Sequence, residues 1–328
     1  MDQYFKNYEK LDINHLMLSE KTRVLMAYKN AIFNMKEEFQ GKVVMDVGAG
    51  SGILSIFCAH VGAKKVYAVE ASMLAKTIEQ VLIKNNLQDT IEVIHSKVED
   101  IHPDSLEKID IIVSEWMGFY LVHEGILDSV LFARDNFLRE DGLLFPSEAK
   151  LYASPCELSS MYKFRINACE VPLPMYLSMR CIGKEYKKIQ SMEPEVLLLN
   201  QDHLLASGIL LAWLDLNYIS VEEVNLLGGE KYVSICEKDG NYQGICIWFA
   251  VKFPDGSELS TAPRDEATHW KQTVIVLPED KEATKYLPIA FNVELKRDAS
   301  NSKRYNIELN CNHDFLSSTF NELMRMFW

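Results

Sequence analysis

The sequence predicts an α/β domain built on a parallel sheet flanked by helices, followed by a second, mainly β domain, and three observations carry that prediction. Short β-branched runs alternate with segments of helical periodicity through the first part of the chain. A glycine-rich turn, VMDVGAGSGIL from Val44 to Leu54, joins the first of those runs to the helical segment after it. Near GLLFP, residues 142–146, the alternation stops and long extended segments separated by turns take over.

Residues 21–39 place Leu25, Tyr28, Ile32, Met35 and Phe39 three or four apart, a spacing that a helix gathers on one face. Residues 42–47 (KVVMDV) then read as a strand, 53–60 as a helix, 65–69 (KVYAV) as a strand and 73–84 as a helix. Further strands are expected at 91–95 and 109–113 (IDIIV), with a helix at 127–138. In the second half, 244–253 (GICIWFAVKF) runs into a Pro-Asp-Gly turn, and 271–277, 289–295 and 304–309 are β-rich. We therefore expect domains at 1–146 and 147–328, a usual division for 328 residues. Between the halves, 156–188 carries Met161, Tyr162, Phe164, Met175 and Tyr176 without strand alternation. It reads equally as an excursion for association or as packing on its own domain.

Composition narrows the function. Against 47 Asp and Glu stand 34 Lys and Arg, a net charge of −13 that suits cationic partners and disfavours direct nucleic-acid binding, which needs clustered Lys and Arg. There is no run of apolar residues long enough for a membrane span, and the opening MDQYFKNYEKLD lacks the basic and apolar regions of a signal peptide. The seven cysteines, Cys58, Cys156, Cys169, Cys181, Cys236, Cys246 and Cys311, contain no C-x-x-C pair. Reduced thiols in the nucleus or cytoplasm are expected, with no metal site.

In the glycine turn, Gly48, Gly50 and Gly52 stand between a strand and a helix, where a missing Cβ lets the backbone approach a ligand. The G-x-G-x-G spacing is one residue tighter than that of dinucleotide folds, which disfavours a pyrophosphate cradle. Glu70 closes the next strand, at a point where a carboxylate can accept both hydroxyls of a ribose. With Asp46 just before the turn and Glu99 after the following strand, the leading ligand is S-adenosylmethionine, Glu99 taking the adenine amino group.

After IDIIV comes SEWMGFYLVHE, residues 114–124, in which Glu115 stands at the carboxyl end of the strand and Glu124 follows across a loop containing Gly118. A hairpin there brings two acids together, and two adjacent carboxylates both ionise only with a cation between them. Guanidinium is the natural one, being planar, permanently charged and able to make paired hydrogen bonds.

These motifs, with YFKNY at 4–8 and ATHWKQ at 267–272, make the sequence similar to the protein arginine methyltransferases, type I, in parts to their nuclear branch. The resemblance implies a Rossmann-like S-adenosylmethionine-dependent methyltransferase domain, then a β-barrel domain whose dimerisation arm lies at about 156–188. It implies methyl transfer to arginine in proteins such as histones or Gly-Arg-rich proteins, by a homodimer. Carried over by position, Glu115 and Glu124 hold the substrate guanidinium, with Met17, Glu20 and His269 beside them. Tyr8, Arg23, Asp46, Gly48, Gly50, Ile53, Leu54, Glu70, Ala71, Val98 and Glu99 face the cofactor. Three positions depart from the family pattern: Asn14 where a His is usual, Glu20 in place of Asp, and Ile126 in place of a second Met. They bear on product type and rate, and they keep open the reading of an inactive, methyltransferase-fold interaction partner.

Overall fold

The computed structural model describes residues 22–159, 185, 188–189 and 191–311, and the backbone of 323–326. The first domain contains α1 (Arg23–Asn34), α2 (Lys36–Phe39), β1 (Val43–Val47), α3 (Ile53–His60), β2 (Lys65–Val69), α4 (Leu74–Asn85), β3 (Ile91–Ile94), β4 (Ile109–Val113), α5 (Ile126–Phe137) and β5 (Leu138–Phe145). The five strands form one parallel sheet in the order β3-β2-β1-β4-β5. All five residues of β1 are buried, as a central strand covered on both faces requires. Helix α3 packs on β1 and β2, α4 on β3, and α5 on β1, β4 and β5.

The helix expected over 21–39 is two pieces separated at Met35, which leaves the helical region at φ −105° and ψ 24°. Its apolar stripe is nevertheless the buried one, with Val24, Leu25, Tyr28, Ala31 and Ile32 turned inward.

Ten strands follow among the described residues: β6 (Glu148–Cys156), β7 (Glu195–Leu197), β8 (Ile209–Asp215), β9 (Leu226–Ile235), β10 (Gly240–Lys252), β11 (Glu258–Ser260), β12 (Gln272–Ala283), β13 (Pro288–Arg297), β14 (Tyr305–Asn310) and β15 (Leu323–Met326). One antiparallel sheet runs β7-β12-β10-β6-β8 with β11 beside β10, and another runs β15-β14-β13-β9. Strand β8 packs beside β9, which brings the two sheets together as a barrel. Most of the stretch expected to carry the arm, 156–188, lies outside the described residues.

Helix α1 is held between the two units. Tyr28 donates to the Ser114 carbonyl (2.8 Å) in the first domain, while its ring meets Phe253 of the second edge-on at 4.9 Å. Removing that buried hydroxyl leaves the Ser114 oxygen unpaired. Tyr28→Phe is expected to cost about 1 kcal/mol of stability, read as a lower urea midpoint with an unchanged slope; an unchanged midpoint would show that the bond contributes nothing.

Candidate active site

A cavity of ≈ 430 Å³ opens beyond the carboxyl ends of β1, β2 and β4, the edge at which open α/β sheets bind ligands. The glycine turn forms its floor. Gly48 has φ +74°, and a Cβ there would meet nothing within 4 Å, so the turn leaves open space where a ligand can lie against backbone. Gly52 has φ +79°, and its own Cβ would come within 2.8 Å of Ile78, so the turn into α3 is sterically restricted to glycine.

Asp46 lies beneath this floor, 1% exposed. One of its oxygens accepts from both the Ser55 amide (3.0 Å) and the Ser55 hydroxyl (2.7 Å), which ties the end of β1 to the first turn of α3. It does not line the cavity, so the structure gives it the shaping of the turn rather than the direct ligand contact expected from sequence. Burial pushes its carboxyl up to about 7, the nearby charge of Glu70 adding to the rise.

Glu70 sits at the cavity wall directly after β2. Its two oxygens accept from the Gly50 amide (2.8 Å) and the Ser72 amide (2.7 Å), which fixes the carboxylate plane. An ionised carboxylate has about four acceptor sites, so capacity remains for two ligand hydroxyls. Ile53, Leu54, Ala71, Val98 and Glu99 complete this end of the cavity. Glu99 accepts from the Ser129 hydroxyl at 2.5 Å, which joins it to α5.

At the other end stand the two acids predicted to pair. The segment between them is a tight hairpin, with Gly118 and Leu121 exchanging backbone hydrogen bonds at 2.9 and 3.1 Å. A Cβ on Gly118 would fall 2.3 Å from the His123 carbonyl, so this turn admits only glycine. Tyr120, Leu121 and Glu124 all have positive φ. Each such residue costs about 1–3 kcal/mol, so the loop keeps this shape only because its surroundings hold it. Trp270 of the second domain donates to the Met117 carbonyl at 3.1 Å, and the Glu124 amide donates to the Lys303 carbonyl at 3.1 Å.

Glu115 and Glu124 both line the cavity. One oxygen of Glu115 is buried and has no hydrogen-bond partner among the described residues. Burial, compounded by the charge of Glu124, pushes the Glu115 carboxyl up to about 8. A buried acid beside a second acid, with an acceptor unsatisfied, is the chemical complement of a ligand carrying positive charge and N–H donors.

The remaining expected residues stand elsewhere. Arg23 begins α1 and reaches the second domain, where one of its nitrogens donates to the carbonyls of Ser260 and Glu266, both at 2.7 Å, with Asp265 at 3.8 Å. Two converging carbonyls and a carboxylate account for this placement, and Arg23 does not reach the cavity lining. His269 lies against Trp270, ring centroids 4.0 Å apart, and burial pushes its imidazole down to about 4, so it is neutral at pH 7. It is absent from the lining as well. Tyr8, Met17 and Glu20, with Asn14, fall outside the described residues. The sequence reading missed Asp128, Ser302 and Lys303, which also line the cavity. Asp128 is one helical turn past Glu124 and had that local signal; the other two arrive from a distant hairpin and had none.

Comparison with known proteins agrees with this architecture. Residues 147–316 match the family model described as the arginine methyltransferase oligomerization subdomain. Residues 28–123 match that of ribosomal protein L11 methyltransferase. The chain is 36% identical over 305 residues to protein arginine N-methyltransferase 6 of Danio rerio, covering 92% of this chain and 86% of that protein. It belongs to the protein arginine methyltransferase family. It is also 34% identical over 337 residues to the probable protein arginine N-methyltransferase 6.1 of Oryza sativa subsp. indica, covering 94% of this chain and 87% of that protein. Among solved structures, the Trypanosoma brucei PRMT1 enzyme-prozyme complex with AdoHcy superposes with a TM-score of 0.85 at 27% identity, over 97% of this chain and 99% of the other. Arabidopsis thaliana protein arginine methyltransferase 10 gives 0.82 at 30% identity, over 99% of both chains.

Within a protein arginine methyltransferase, the raised Glu115 has a direct consequence for pH. A guanidinium is attracted to the ionised pair, so its entry expels the proton that Glu115 holds below about 8. Affinity for an arginine peptide is expected to rise with pH and to level off above about 8. Calorimetry at constant ionic strength, in two buffers of different ionisation heat, measures both the affinity and the released proton; a flat profile would exclude a protonated Glu115 in the free enzyme.

Proposed function

We propose that this chain transfers methyl groups from S-adenosylmethionine to the guanidinium nitrogens of arginine in proteins, forming ω-N-monomethyl and asymmetric dimethylarginine. The observation that carries the proposal is the carboxyl pair, Glu115 with its buried, unsatisfied oxygen beside Glu124, in one cavity with the glycine turn and Glu70.

The residues present fit the cofactor. Gly48 and Gly50 leave room along the backbone, Glu70 keeps acceptor capacity for ribose hydroxyls, and Val98 with Glu99 suits adenine. Ile53, Leu54 and Ala71 supply apolar wall. Asp46 acts one step back, through Ser55. Tyr8 and Arg23 retain a cofactor-binding role in this proposal, for which Arg23 would leave the carbonyls of Ser260 and Glu266. The cofactor, when bound, supplies a methyl group on a sulfonium centre. The chain's task is then to aim a guanidinium nitrogen at it and exclude water.

Such positioning can supply roughly 7 to 11 kcal/mol of the barrier. The nucleophile is the difficulty, since guanidinium has a pKa above about 12 and delocalises its lone pairs. Hydrogen bonds to ionised Glu115 and Glu124 draw the positive charge toward the nitrogens they hold and leave the remaining one more nucleophilic. Each charge-assisted bond contributes about 1.5–3 kcal/mol. In the same proposal His269 would carry away the proton released after transfer, with Glu20 as a carboxylate partner that raises its basicity from the low value burial gives it, and Met17 would shape the space beside the acceptor nitrogen.

An acidic chain of net charge −13 suits cationic segments such as histone tails or Gly-Arg-rich proteins. A homodimer is the expected assembly, supported by the match to the oligomerization subdomain and by exposed Met26, Phe33 and Ile83 on α1 and α4, apolar surface for a partner's arm. Nucleus and cytoplasm are both compatible with this chemistry, and among the described residues no helix is long and apolar enough to cross a membrane.

The test is incubation with isotopically labelled S-adenosylmethionine and an arginine-rich histone or Gly-Arg peptide, the products resolved by mass spectrometry. Asymmetric dimethylarginine is expected; cofactor binding without any methylated product would instead establish an inactive partner. Glu124→Gln is expected to abolish turnover with cofactor affinity retained. Glu70→Ala is expected to weaken the cofactor about tenfold or more, measured by calorimetry; unchanged affinity would remove Glu70 from the ribose site.

A further inference from the structure

Asp128 is a further carboxylate in the wall of the cavity, on α5 four residues after Glu124. Arg297, the last residue of β13, holds it with both terminal nitrogens, one at 2.8 Å from Oδ1 and the other on Oδ2. The guanidinium is itself fixed. It donates to the Tyr305 hydroxyl at 3.1 Å and lies 5.5 Å from the centroid of that ring, while the hydroxyl donates to the Val224 carbonyl at 2.9 Å and the Arg297 amide to the Asn225 carbonyl at 2.9 Å. The Arg297 side chain is 12% exposed and that of Asp128 28%, so the guanidinium is largely shielded while the carboxylate keeps partial access to solvent.

The same hairpin touches Glu124 at its tip. Asp298 accepts from the Ser300 and Asn301 amides and folds the connection between β13 and β14, which delivers the Lys303 carbonyl to the Glu124 amide at 3.1 Å. A Cβ on Gly125 would stand 3.4 Å from Lys303 Cα, so the two segments are in contact along their backbones. Glu124, at φ +81°, has a conformation that it does not keep unaided. The hairpin therefore grips the start of α5 at two points, at its base through Arg297 and Asp128 and at its tip through Lys303 and Glu124.

We propose that Arg297 is a positioning residue for methyl transfer: by pinning Asp128 it holds Glu124 in the conformation that receives the substrate guanidinium, and it keeps the Asp128 carboxylate from competing for that cation. The inference rests on the proposed arginine-methylating activity. A bidentate fork is needed, which Lys cannot supply.

The experiment is a double-mutant cycle of Arg297→Met, Asp128→Asn and both together, in the full chain, with kcat, KM and calorimetric Kd for a Gly-Arg peptide and the Kd of S-adenosylhomocysteine. Arg297→Met is expected to lower kcat/KM for the peptide about tenfold or more, with Kd for S-adenosylhomocysteine within about twofold of wild type. The double variant is expected to be no worse than Arg297→Met alone, because both changes break one link. Losses that add, losses under about twofold, or a parallel loss of S-adenosylhomocysteine binding would each overturn the proposal. If Arg297→Met fails to fold, Arg297→Lys replaces it in the cycle, with the same criteria. A wild-type chain that binds peptide without methylating it refutes the activity but not the positioning, which the peptide Kd values of the cycle then decide.

Discussion

Two acids held together in the wall of one cavity are the constraint on which the rest of the structure depends. Neither Glu115 nor Glu124 is comfortable there: one is pushed up to about 8 by burial and by the other's charge, and the second occupies left-handed backbone. A loop left to itself would relax by turning one acid into water. Here it is braced from three directions, by the Tyr28 hydroxyl on the Ser114 carbonyl, the Trp270 indole on the Met117 carbonyl and the Lys303 carbonyl on the Glu124 amide. The braces come from α1 and from two separate stretches of the second domain.

That origin explains why the methyltransferase sheet is accompanied by a barrel. A parallel sheet with a glycine turn and an acid after the next strand provides a nucleoside site on its own, since Gly48, Gly50, Glu70 and Glu99 all belong to the first domain. The acid pair does not come so cheaply. Arg134 on α5 donates to the Leu216 and Ile219 carbonyls, and Asn34 at the end of α1 to Asp255 (2.9 Å), so the domains are joined at further points. Their docking is a condition of the chemistry as well as of stability.

Most of the sheet was legible from the sequence because β1 to β4 are short, mainly β-branched runs of four or five residues, so that 109–113 and 65–69 coincide with β4 and β2; the charged start of β5 (LREDGLLF) hid that strand. The acid pair was legible because two glutamates flanking Gly118 after a buried strand have few other uses. Less was visible in the second domain: β8 and β9 alternate imperfectly, and their exposed Leu210, Trp213, Val233 and Ile235 blur the inside and outside faces. Asp46 stands behind the turn, bonded to Ser55, rather than in the cavity lining, and position in sequence does not reveal which way a carboxylate turns. The present partners of Arg23 were not legible, because the carbonyls of Ser260 and Glu266 are backbone atoms more than 230 residues away, and backbone atoms carry no sequence signal. Lys303 belongs to the same class, acting through its carbonyl, whereas Arg297 was hidden by distance alone, its carboxylate partner Asp128 lying 169 residues away.

The cavity thus has walls of two kinds. One is the glycine turn, where Ile78 and the open floor over Gly48 leave little latitude for change. The other is the tip of the hairpin joining β13 and β14, which contributes Ser302 and Lys303 from a surface connection. Surface connections accept changes of side chain at small thermodynamic cost. Because the brace on Glu124 is the Lys303 backbone carbonyl, the side chains at 302 and 303 can change this wall's chemistry toward a substrate while the length and path of the connection stay fixed by the acid that it holds.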